Sequence, residues 1–108
     1  MWHVRREDGH VVAEDSRGRS YRFEIAGARS VRVVPLTGGN PHGGAGQGFQ
    51  VAVRRDEGDV LIGAASLDWR AARELARQLC ETAELPLDEL TQRLFSQVGQ
   101  YSPPAGER

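Results

Sequence analysis

The chain has 108 residues, 39% of them hydrophobic, with 13 Gly, 5 Pro, a single Cys and a net charge of −1. That length fits one domain able to bury a core unaided, and a lone Cys80 excludes an internal disulfide and a cysteine-based zinc site. No run approaches the roughly 20 apolar residues that span a bilayer, and the opening MWHVRRED lacks an apolar signal segment, so a cytoplasmic protein without a transmembrane segment is expected.

All 14 basic residues are arginine, which the coding bias of a GC-rich bacterial source would account for. Charge divides unevenly along the chain. Residues 1–55 carry nine Arg against five acids (+4), and residues 56–108 carry five Arg against ten acids (−5). The first half could therefore face an anionic partner, although two oppositely charged surfaces also serve solubility.

Asp8-Gly9 separates two short runs and suits a two-residue hairpin turn, because both positions tolerate positive φ. That turn places Glu7 opposite His10, Val4 opposite Ala13 and His3 opposite Glu14, with Trp2, Val4, Val11 and Ala13 on the core face. The run DSRGR turns the chain, and Ser20 to Ile25 follows as a strand with Tyr21, Phe23 and Ile25 inward and Arg22 and Glu24 outward. After Ala26-Gly27-Ala28, Val31 and Val33 continue the inward set with Arg32 outward, and Pro35 closes the strand near Leu36. Thr37 to Gly48 is glycine-rich, without apolar periodicity, and reads as a long loop. Phe49, Val51 and Val53 restart the alternation, Asp56 to Asp59 turns, and Val60 to Ala65 returns as a sixth strand.

Ser66 to Leu85 has a helical period. Ala72, Leu75, Ala76, Leu79, Cys80 and Ala83 form its apolar stripe, Ser66 or Asp68 its cap, and Pro86 its stop. Leu87, Leu90, Leu94 and Val98 predict a second short helix capped by Asp88. The expected fold is α+β: an antiparallel β-meander of about six strands capped by an amphipathic helix and a second short helix. Residues 1–98 form its single domain and 99–108 a polar tail.

No catalytic, cofactor or metal constellation is legible. Gly44, Gly46 and Gly48 precede a strand rather than a helix, so a phosphate-cradling reading is disfavoured. His3 and His10 fall at opposite ends of their strands, and His42 lies in the loop, so they do not converge as zinc ligands. Asp56, Glu57 and Asp59 lack the spacing of a calcium loop, and Cys80 reads as a core residue. The outward arginines Arg5, Arg22, Arg32 and Arg54 are candidates for binding an anion, with a solvated face as the plainer reading. Tyr21, Phe23 and Phe49 alternate inward, which disfavours base stacking and hence nucleic acid. Trp69, Leu87, Leu90, Leu94 and Val98 are the candidate partner surface.

The strands FEIAGARSVRVVPL, FQVAVRR and VLIGAA followed by an amphipathic helix resemble the pleckstrin-homology-like superfold, in which a bent sheet or partial barrel is plugged by a C-terminal helix. The resemblance implies binding of lipids, peptides or proteins rather than catalysis. Residue by residue, it carries over no basic lipid-binding motif. The expected function is a small non-enzymatic protein-interaction module, an adaptor or subunit of a larger bacterial assembly, with a protein partner or self-association. The alternative is binding of a lipid headgroup, phosphate compound or nucleic acid through the arginine-bearing sheet.

Overall fold

The computed structural model describes residues 2–36 and 48–101, and for 64–66 and 97–101 the backbone alone. Six strands, β1 (His3–Glu7), β2 (His10–Glu14), β3 (Ser20–Glu24), β4 (Ala28–Leu36), β5 (Gly48–Arg55) and β6 (Val60–Leu67), precede two helices, α1 (Trp69–Ala83) and α2 (Glu89–Tyr101). The strand and helix order is the expected one, and so is the first hairpin, which pairs Glu7 with His10, Val4 with Ala13 and His3 with Glu14. Except for Gly48, which begins β5 rather than ending the loop, the proposed glycine loop, with His42, lies outside the described residues. So does any tail beyond Tyr101, which α2 reaches by continuing past Val98.

The strands form two antiparallel sheets, β1-β2-β3 and β4-β5-β6, that do not close into a barrel. The division falls at the turn after β3. The Ile25 N–H donates to the Gly9 carbonyl at 2.9 Å and draws the end of β3 toward the first hairpin, while Gly27, at φ 84°, re-aims the chain. Arg55 holds the new direction by donating to the Ala26 carbonyl at 3.0 Å. Glycine is needed at position 27 because a side chain there would carry the strain of a left-handed backbone.

Each sheet turns one face to a shared core. Val11, Ala13 and Phe23 come from the first sheet and Val31, Val33, Val51, Val53 and Ile62 from the second. Between them lies the buried stripe of α1: Ala72, Leu75, Ala76, Leu79 and Ala83. Its small side chains let the helix axis approach both sheets, and α1 touches β1, β2, β4 and β5. Asp68 caps the helix by accepting from the Ala71 N–H at 2.7 Å, and Glu84 ends it in the left-handed conformation. A second joint is Trp2 on Gly63, where the register of β5 and β6 slips. A Cβ on Gly63 would stand 3.0 Å from the Trp2 ring, which would have to shift, and the backbone there has φ 95°, so glycine is favoured at this joint.

The free edge of β4 is covered. The Val31 N–H donates to the Pro86 carbonyl and the Asp88 N–H to the Val31 carbonyl, both at 2.9 Å, and the Val33 N–H donates to Thr91 Oγ1 at 2.9 Å. Asp88 then caps α2 by accepting from the Thr91 N–H at 2.8 Å.

Candidate functional site

The four outward arginines do not share one surface. Arg5 and Arg22 lie on the outer face of the first sheet, in register on either side of Val12. Val12 is only 5% exposed although it points away from the core, as expected where alkyl stems of flanking arginines lie over an apolar residue. Arg5 is paired with Glu7 and Glu14. Arg32 and Arg54 lie on the second sheet. Arg32 donates to Asp88 at 2.6 Å, and both approach Asp59 at 3.9 Å. The acidic turn therefore serves neighbouring arginines, with Asp56 on Arg29 at 2.6 Å and Glu57 on Arg55 at 3.8 Å.

The proposed partner surface is also divided. Trp69 is half-buried, its ring centroid 5.1 Å from both Phe49 and Phe95. Leu87 and Leu94 pack against the core, whereas Leu90 is 62% exposed. The side chain of Val98 lies outside the described residues. Leu94 thus belongs to the lid over the core and Leu90 to the surface. Leu94→Asp should lower the melting temperature clearly, because it sets a carboxylate among partly buried apolar contacts of the core. Leu90→Asp should stay within about 0.5 kcal/mol of the parent. Circular dichroism melts decide between them, and a Leu94→Asp protein that melts like the Leu90→Asp protein would remove Leu94 from the lid.

Cys80 is half-buried, and burial, followed by the charge of Glu81, pushes its thiol up to about 11. It is protonated at neutral pH and a poor nucleophile. Among the described residues no group of three or more His, Cys, Asp or Glu side chains is placed to hold a metal ion.

A concavity lies elsewhere among the described residues, between the β2–β3 turn and the first half of α1. It is a groove of about 980 Å³. Arg17 and Arg19 line it from the turn, Arg70, Arg73 and Arg77 from the helix, and Trp2, Leu67 and Ala71 add apolar surface. Local chemistry presents each wall. Asp15 Oδ1 accepts from the Arg17 and Arg19 N–H groups at 2.9 and 3.0 Å, which curls the turn and directs its carboxylate inward on the backbone. On the helix, positions 70, 73 and 77 recur on one face over about 10 Å.

Three acids share the groove, but each has a structural partner. Asp15 holds its turn, Asp68 caps α1, and Glu74 bonds Arg77 at 2.6 Å and Gln78 at 2.9 Å. Those bonds, from Arg77 first and then Gln78, hold the Glu74 carboxyl below its ordinary range. Arg17, Arg19, Arg70 and Arg73 are exposed, and none forms an ion pair with a carboxylate among the described residues.

The chain matches no protein-family model, no curated protein and no solved structure in the three comparisons made. No helix among the described residues is long and apolar enough to cross a membrane.

The groove was hidden in the sequence because its walls are some fifty residues apart and nothing local pairs a turn with a helix face. The nearest signal was the arginine spacing of three and four on the polar side of α1.

Proposed function

We propose that this chain is a small non-enzymatic binding module whose partner offers anionic groups to the groove between the β2–β3 turn and α1. One observation carries the reading: four arginines without a carboxylate partner among the described residues face one concavity with an apolar floor. Guanidinium forks suit carboxylate and phosphate oxygens, and their bonds strengthen where an apolar surface excludes water. These features favour the groove over the outer sheet faces as the anion's site, and the reading is compatible with an adaptor of the pleckstrin-homology-like kind.

The test titrates a panel of pyrophosphate, citrate and a short acidic peptide and follows intrinsic fluorescence, since Trp2 lines the groove and Trp69 adjoins its Asp68–Arg70 wall. At least one anion should bind, more weakly as salt rises. The paired change Arg17→Ala and Arg73→Ala should weaken binding about tenfold or more, the scale of losing two exposed charge-assisted contacts. Arg22→Ala, on the outer face of the first sheet, should change nothing. A panel without any binder, or binding indifferent to the paired change, removes the reading.

A further inference from the structure

Resting on that reading, we infer that the groove receives an extended acidic peptide segment of a partner protein, with acidic residues at alternate positions and an apolar residue among them. The distribution of charge favours this over a compact polyanion. The arginines do not converge on one point: Arg70 and Arg73 stand about 4.5 Å apart along the helix axis, with Arg17 and Arg19 on the facing turn, while Arg77 beyond them is held by Glu74 and Glu81. Asp15, Asp68 and Glu74 stand between them. A cluster of phosphates held by several of these arginines at once would press against at least one of those carboxylates. Single carboxylates, spaced apart, can settle on separate arginines and leave the acids undisturbed.

Dimensions agree. Alternate side chains of an extended strand are about 6.6 Å apart on one side, a spacing that the long side chains of Arg70 and Arg73 can bridge, with Arg17 and Arg19 opposite. The groove's 980 Å³ stands at the top of the range of small-molecule pockets, about 300–1,000 Å³, and leaves room for several peptide residues. Trp2, Leu67 and Ala71 supply the apolar patch on which a Leu or Phe of the partner would rest, while phosphate alone would leave that patch wet. The charge complementarity is local, because the chain as a whole is at −1.

The experiment measures anisotropy of a short fluorescein-labelled peptide alternating glutamate and leucine, with a glutamine-for-glutamate peptide as control. Inorganic pyrophosphate and vesicles of phosphatidylcholine with phosphatidylserine are tested in parallel. The glutamate peptide should bind at low salt and the glutamine peptide at least about tenfold more weakly. The Arg17→Ala and Arg73→Ala protein, shown by circular dichroism to be folded, should lose binding by about the same factor. Arginine-dependent binding of pyrophosphate or vesicles without binding of the peptide overturns the peptide inference and leaves the anion groove standing. Failure of every probe overturns both, and peptide binding that survives the paired change overturns the assignment to this groove.

Discussion

Leu75→Ala is expected to lower folding stability by about 2–5 kcal/mol, read as a fall in the urea midpoint with an unchanged slope. Leu75 is fully buried in an α1 stripe that is otherwise mostly alanine, with Leu79 as its other large member. The helix packs between two sheets that are not hydrogen-bonded to each other, touching β1 and β2 of one and β4 and β5 of the other. Neither sheet can move in to fill the space without losing contact with the rest of α1. A cavity there stays open, which puts the loss toward the upper end of the range. Domains of this size have a total stability of about 5–15 kcal/mol, so the variant should be visibly marginal. A loss below about 1 kcal/mol would show that α1 is not the central packing element.

Asp88→Ala is expected to cost about 2–3 kcal/mol, because one carboxylate performs two tasks. Its Oδ1 accepts from the Thr91 N–H at the start of α2, and its Oδ2 accepts from the Arg32 guanidinium. Asp88 is 8% exposed. Asparagine separates the tasks, since it can cap α2 but cannot bring a negative charge to Arg32. Burial pushes the Asp88 carboxyl up, but the hydrogen bonds from Thr91 and Arg32 outweigh it and hold the group below its ordinary 3.8. A depressed carboxyl stabilises the fold above its unfolded value, and that contribution disappears as pH falls below about 3.8 toward the folded value. Thermal melts should therefore show a steeper acid decline for the parent than for Asp88→Asn. Equal declines would mean that the Arg32 contact carries no net charge stabilisation.

Strand and helix order was readable because each element states its period locally. Phe23, Val31, Val33, Val51 and Val53 alternate inward, and Leu75, Ala76 and Leu79 recur at helical spacing. Even the register of the first hairpin followed from Asp8-Gly9 alone. The separation of the strands into two sheets was not readable, because it depends on the Ile25 bond to Gly9 and on Arg55 reaching Ala26, contacts between residues distant in sequence. Site chemistry suffered for the same reason. Alternation told that Arg32 and Arg54 point outward, but not that Asp59 and Asp88 would meet them there. Alternation also marked Arg22 and Arg5 as outward without revealing that they flank a covered Val12. The walls of the groove are a turn and a helix whose proximity only the packed core creates.

The covering of β4 has a colloidal consequence. An uncovered edge strand invites another chain to add to the sheet, the route by which β proteins pair wrongly and precipitate. From Val31 to Pro35 the outward positions of β4 offer an N–H bound to Pro86, an N–H bound to Thr91, and a proline with none to give. A foreign strand therefore finds no donor along that stretch. The chain leaving α1 acts as a short sham strand, with Leu87 in parallel register on Val31. Recruitment by strand addition is closed at this edge while the linker between the helices stays docked, and insolubility should first appear in variants that release that linker.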